Sequence, residues 1–309
     1  MTLAELLLAL TVVFVWGTNF VVIEFGLRDL PPLVFATLRF ALAALPWLFF
    51  IRRPPVAWRY LAAVGVLLGV GQFGLLFIAM RDDIAPGLAS LVIQVQVFFT
   101  VGLSVWLFGE AIHLRNLLGL ALGMAGLWLI GANLDASTTI KGLVLVVLAA
   151  LCWALANLVV KAAVRKHGPF NTLAFMVWSS GFAVPPLAVL AVAFEGRATV
   201  LAAVAHADLA AWAAVLWQSL GNTLFGYGMW NWLLTRHSAA AFTPTALLVP
   251  VFGLGASSLI LGEPLQGWKL AATGLIVAGL AVNVFDPARL MRRGVDVARR
   301  RQDNGGRKA

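Results

Sequence analysis

Charge is scarce in this chain. Only 11% of its 309 residues are Asp, Glu, Lys or Arg, against about a quarter in an ordinary soluble domain. Eleven of those charges crowd into residues 286–309, so the first 285 residues cannot cover a globule with a water-compatible surface. A soluble enzyme, cytosolic or secreted, is excluded. The single cysteine, Cys152, excludes a disulfide framework and a cysteine-based zinc site. The four histidines stand at the ends of apolar runs or between them. With no HExxH and no GxSxG, there is no catalytic cluster, no resident metal and no cofactor to expect. A GxxxxGK motif followed by Ser or Thr is also missing, which excludes an ATP-driven engine. No Asp or Glu lies in mid-run: Glu5, Glu24, Glu110 and Glu263 all stand near run ends. Proton antiport usually needs an intramembrane ionisable relay, so facilitated diffusion or exchange stands beside it. The N-terminus has no basic segment and carries Glu5, so no cleavable leader is expected.

What fills the chain is apolar surface. Hydrophobic residues make up 61% and mean hydropathy is +0.94. Charges, prolines and glycines divide the sequence into runs of spanning length. Spans are expected near 3–24, 32–51, 60–80, 86–108, 116–132, 142–163, 170–193, 208–234, 241–262 and 268–285. Ten is even, so both termini share a side. Arg52, Arg53, Arg59, Arg115, Lys161, Arg165, Lys166, Arg236 and the eight basic residues of the tail collect on that side, against Arg28, Arg81, Lys141, Arg197 and Lys269 on the other. The Lys/Arg bias predicts cytoplasmic termini. The net charge of +9 is then a local property of the tail, suited to an anionic leaflet, and no nucleic-acid partner is expected. The lipid bilayer and a small-molecule substrate are, with the chain acting as a monomer.

The sequence also repeats itself. At an offset of 153 positions, Gly102, Ser104, Gly109, Glu110, Leu117, Leu122, Ala125, Gly126 and Leu127 recur as Gly255, Ser257, Gly262, Glu263, Leu270, Leu275, Ala278, Gly279 and Leu280. A second echo joins Trp16 and Asn19 to Trp153 and Asn157. A five-helix unit has an odd number of spans, so its second copy inserts upside down. The expected fold is an all-α integral membrane protein of ten transmembrane helices in two inverted-topology five-helix repeats, 1–132 and 133–285, followed by a basic cytoplasmic tail, 286–309. Such repeats mark alternating-access carriers with a midplane site. They argue against an intramembrane enzyme or a structural subunit, neither of which needs them.

Trp16-Gly-Thr-Asn19-Phe, Leu38-Arg39-Phe40, Pro86-Gly87-Leu-Ala-Ser-Leu and the two Gly-Glu helix ends resemble the EamA-type branch of the drug/metabolite transporter superfamily. The resemblance runs to about residue 285. Stretches 16–23, 87–100 and 247–253 look most like bacterial O-acetylserine/cysteine exporters, and the branch also includes aromatic amino acid exporters. The resemblance implies export of amino acids or related small metabolites from the inner membrane. A carrier for another solute class, such as drug-like compounds, nucleotide sugars or lipid-linked sugars, is the alternative.

Polar side chains at membrane depth face a bundle interior or a wet cavity. Asn19, Gln72, Gln94, Gln96, Asn157, Gln218 and Asn222 qualify. Neutral amides offer both donors and acceptors to a zwitterion without a buried charge, though they also serve as glue between helices. Arg39 is the strong charge well inside a span. It suits a substrate carboxylate. A structural role, snorkelling or pairing with Glu24, is the competing reading, and the resemblance favours it because this Arg recurs among members with different substrates. Trp16, Trp153 and Trp178 lie deep enough to wall a cavity and face an ammonium group, and Tyr227 adds a hydroxyl. Gly65/Gly69 and Gly119/Gly123 are expected to pack helices closely.

Overall fold

The computed structural model describes residues 2–135, 137–237 and 243–284. The basic tail and the first residues of the ninth expected span lie outside them. Helices begin where side chains or prolines satisfy free N–H groups. Thr2 opens α1 (Leu3–Asp29): its hydroxyl takes the Glu5 N–H at 3.3 Å, while the Glu5 carboxylate takes the Thr2 N–H at 2.7 Å. Proline stands at the start of α2 (Pro32–Leu48) and α4 (Pro86–Phe108), where no N–H partner is needed. Between these runs α3 (Trp58–Asp82), and after them come α5 (Leu114–Gly131), α6 (Ile140–His167), α7 (Thr172–Glu195), α8 (209–236), α9 (Pro244–Leu261) and α10 (Gly267–Val284). Thr139, Asn171 and Asp208 cap α6, α7 and α8. Gly109 and Gly262 end α4 and α9 with φ of +64° and +72°, a left-handed turn that favours glycine. The repeated Gly-Glu pair is therefore a repeated helix stop.

Among the described residues eight helices are long and apolar enough to cross a bilayer: α1, α3 to α7, α9 and α10. The apolar α2 has 17 residues, and α8 qualifies only jointly with a short helix, Arg197–His206, which meets it at a 97° bend. No β-strand forms among the described residues.

Contacts sort the helix ends into two groups, so the bundle runs alternately up and down. At the near end, where α1 begins, His237 lies 3.0 Å from Glu5, and Glu110 meets Lys161 at 2.6 Å and Arg165 at 3.2 Å. At the far end Arg81 donates to the Leu27 and Leu30 carbonyls, and Glu195 accepts the Leu33 and Val34 N–H groups that open α2, at 2.7 and 3.1 Å. There too Asp83 pairs with Lys141 at 2.6 Å, and Glu263 accepts the Gly87 N–H at 3.2 Å.

Small residues set the closest helix contacts. A Cβ on Gly119 would strike the Asn283 side chain and the Gly279 carbonyl, and one on Gly279 would strike the Gly119 carbonyl. α5 and α10 therefore meet backbone to backbone, and Asn116 donates to Asn283 at 2.9 Å beside that contact. Gly65 and Gly69 face Ser179 to Ala183 of α7 in the same way.

Helical geometry departs from the α form at the end of α7, where Ala191–Glu195 winds in the π form, and at two matched pairs of places. Leu67–Gly74 in α3 and Trp217–Phe225 in α8 wind in the wider π form. Ile93–Val95 in α4 and Thr243–Leu248 at the start of α9 tighten to the 3-10 form. Each pair overlaps when the chain is shifted by the 153-residue offset of the sequence repeat. Such distortions are often found at functional sites, and here all four border one cavity.

Candidate functional site

That cavity has a volume of about 380 Å³ and lies among α1, α3, α4, α6, α7, α8, α9 and α10. Most of its wall is apolar, with Phe20, Ile23, Leu68, Leu76 and Ile93 among the contributors. None of its lining residues among those described is charged. Thr172, the first residue of α7, and Val284, at the end of α10, line it, so it reaches the near end. Toward the far end Ile23 and Leu76 close it off, and the buried Leu27, Leu30, Leu33 and Met80 lie beyond them.

Polar groups enter this wall in three clusters. On α6, Asn157 donates its amide to Gln96 Oε1 at 3.2 Å, and Thr100 donates to the same oxygen at 3.2 Å. On α1, Asn19 accepts from Gln218 Nε2 at 2.8 Å. The third cluster is aromatic. Trp16 stands 5.6 Å from Tyr227 and 5.1 Å from Trp230 by ring centroids, and its Nε1 donates to the Asn222 carbonyl at 3.3 Å. A Cβ on Gly226 would collide with the Trp16 indole, so that glycine gives the ring its seat. Gln72, Gln94 and Trp153 complete the polar lining already expected from sequence.

Of the candidates read from the sequence, Trp16, Asn19, Gln72, Gln94, Gln96, Trp153, Asn157, Asn222 and Tyr227 are brought together here. Three others are not. Trp178 donates to the Ile51 carbonyl at 3.0 Å and packs its edge on Trp58, which pins α7 to the loop after α2. Gln218 is fully buried and acts on the cavity only through Asn19. Arg39 is 1% exposed and lies behind the wall: its guanidinium carbon sits 3.7 Å over the Phe73 ring, and Nη2 donates to Thr223 at 2.8 Å. It does not pair with Glu24, which borders a separate far-end cleft with Arg28, Arg81, Asp82 and Glu263. Sequence reasoning missed Thr172, Met176 and Trp230. Trp230 carried a signal, since it lies three residues after Tyr227 and so on the same helical face. Thr172 and Met176 carried none, because they sit at a helix start that reads as an ordinary span end.

The buried polar side chains form a chain of contacts. Asn19 accepts from Gln218, the Gln218 carbonyl accepts from Thr223, and Thr223 accepts from Arg39. Ser219 also donates to the Arg39 carbonyl at 2.9 Å. The π stretch of α8 makes this possible, because a wide turn frees backbone carbonyls from strict i to i−4 pairing.

Comparison with known proteins gives one consistent result. The model of the EamA-like transporter family matches residues 3–132 and again residues 140–285. A "Probable amino-acid metabolite efflux pump" of Salmonella typhimurium is 40% identical over 281 residues, covering 90% of this chain and 94% of that protein. A protein of the same name from Escherichia coli K12 is 38% identical over 280 residues, with the same coverage. One crystal structure superimposes with a TM-score of 0.60 at 19% identity, over 90% of this chain and 96% of that one. At that identity the likeness is one of fold.

Proposed function

Because this chain belongs to the EamA-like transporter family, we propose that it exports amino acids or related small metabolites across the bacterial inner membrane. The observation that carries the reading is the uncharged cavity of about 380 Å³, walled by amides and indoles. Its size falls in the range of small-molecule sites, about 300–1,000 Å³. Amide oxygens accept from an ammonium group, amide N–H groups donate to a carboxylate, and the rings of Trp16, Trp153 and Trp230 offer faces to a cation. The relatives named as amino-acid metabolite efflux pumps point to the same substrate class.

The full arrangement is ten spans in two inverted five-helix repeats, 1–132 and 133–285. Support comes from the 153-residue offset, from the two matches of the family model and from the paired π and 3-10 stretches. With α2 as one span and α8 as another, the count reaches ten. Lys and Arg bias places both termini in the cytoplasm, which makes the near end cytoplasmic. The closed far end then faces outward, and the molecule is in its inward-open state. Export alternates this state with one in which the far end opens.

Counterflow is the direct test. Purified protein in liposomes preloaded with an unlabelled amino acid should accelerate uptake of the same amino acid in labelled form. Flux of drug-like compounds or nucleotide sugars, with none of any amino acid, would overturn the substrate class.

A further inference from the structure

Arg39 holds a charge that has no counter-ion among the described residues. Its side chain is buried in α2, and only Nη2 has a hydrogen-bond partner, the neutral hydroxyl of Thr223. Nε and Nη1 are buried and unbonded. The remaining support is the faces of Phe73 and Phe40, at 3.7 and 4.9 Å. The described acids that make contacts are engaged elsewhere: Glu5 near His237, Asp83 with Lys141, Glu110 with Lys161 and Arg165, Asp135 on Ser137, Glu195 on Leu33 and Val34, Asp208 on Ala211, Glu263 on Gly87. A buried ion normally has its hydrogen bonds satisfied and an opposite charge in reach. A helix-pairing pin would need neither the charge nor two idle donors, since the Ser219 hydroxyl already ties α8 to the Arg39 backbone carbonyl of α2 without the side chain.

The position of this charge points to its use. Phe73, on which the guanidinium stacks, lines the cavity, and so does Asn222, next to Thr223. The cation therefore stands one ring's thickness from a cavity with no charged lining residue among those described. The amides of the wall carry no net charge to neutralise it, so its field acts on whatever enters. Resting on the export reading above, we infer that Arg39 is the charge filter of this cavity: it selects permeants with a free carboxylate and holds them with that group toward Phe73. Arg39 is in this sense a positioning residue that acts across the Phe73 ring.

The test compares matched carboxylates and carboxamides on the full-length protein in detergent, with binding followed by quenching of tryptophan fluorescence. The probes are L-phenylalanine against L-phenylalaninamide, L-serine against L-serinamide, and benzoate against benzamide. Wild type should favour the carboxylate by about tenfold or more in at least one pair, because loss of a charge partner is the main difference between the two. Arg39→Lys should keep the preference, and Arg39→Gln should reduce it to within about twofold while carboxamide binding stays the same. A structural role alone would lower stability without moving that ratio. If Arg39→Gln does not fold, the wild-type and Arg39→Lys ratios still decide. Equal binding of acid and amide by wild type, an unchanged ratio in Arg39→Gln, or no quenching by any probe overturns the inference. Benzoate favoured over benzamide with no amino acid bound would keep the filter and discard the amino acid reading.

Discussion

The carboxylate of Glu263 accepts the backbone N–H of Gly87 at 3.2 Å, so the loop that ends α9 holds the first turn of α4. Glu263 Oε2 is buried beside Ser257. Burial raises the Glu263 carboxyl above its ordinary value of 4.5, while the Gly87 N–H and Lys269 pull it down and Glu24 across the cleft pushes it up. Opening the far end would expose the group and return it toward the ordinary value. The closed state therefore binds the proton more tightly than the open one. Closure should strengthen as pH falls through the raised value toward 4.5, and weaken as pH rises. A cysteine placed at Leu88, in a Cys152→Ser background, reports this through its labelling by an impermeant maleimide. The wild-type rate, divided by that of Glu263→Gln, should drop at low pH. Glu263→Ala should raise labelling at every pH, by about 5- to 30-fold for loss of about 1–2 kcal/mol.

Asn19 and Asn157 occupy corresponding places in the repeat, yet their substitutions should differ. Asn157→Ala frees Gln96 Oε1, which keeps Thr100 as a donor. Counterflow should fall by about tenfold with little change in thermal stability. Asn19→Ala strips the partner from the fully buried Gln218 amide. That should cost about 1–3 kcal/mol of stability besides the flux. Melting curves in detergent, run beside counterflow, separate the two.

The far-end pair Asp83–Lys141 should impose an acid limit on stability. Lys141, and then Thr139, hold the Asp83 carboxyl below its ordinary value of 3.8. A depressed acid contributes its full stabilisation above the ordinary value and loses it as pH falls through the depressed one. Lys141 is well exposed, so the gain is about 1 kcal/mol or less. Asp83→Asn should melt slightly below wild type at neutral pH, and the gap should close on acidification below about pH 4.

Adding a methyl group at the α5–α10 contact should overpack it. Gly279→Ala places a Cβ against the Gly119 carbonyl, whereas Gly102→Ala meets nothing. The first should lose about 1–3 kcal/mol and the second almost none, as read from thermal melts.

Much of this was legible because a bilayer reduces the coding problem to run length. Residues 3–29, 86–108 and 140–167 are apolar for long enough that nothing else competes. Amides stand out in such a background, which is why Asn19, Gln72, Gln94, Gln96 and Asn157 could be selected without a structure. Rotation about the helix axis is harder to read. A helix that is apolar all round has no face written in its composition, so Trp178 was selected and Trp230 was passed over. Counting by 3.6 residues also loses phase across Leu67–Gly74 and Trp217–Phe225. The bend at Arg197–His206 was hidden for a related reason: that segment is too short for a span and too apolar for a loop. Arg39 left two partners open in the sequence, a substrate or Glu24. In the fold its immediate neighbours are an aromatic face and a hydroxyl.

The wide turns of α3 and α8 give the chain slack. A π turn holds a residue more than α geometry needs, so removing one residue inside Leu67–Gly74 lets the helix close to the α form with both flanks still on their original faces. The same deletion in a regular stretch, such as α5, would swing everything beyond it by about 100°. Length variation among relatives should therefore be absorbed at these two turns. A single-residue deletion there should leave an inserted, folded protein whose cavity wall is disturbed at Gln72 or at Asn222 alone.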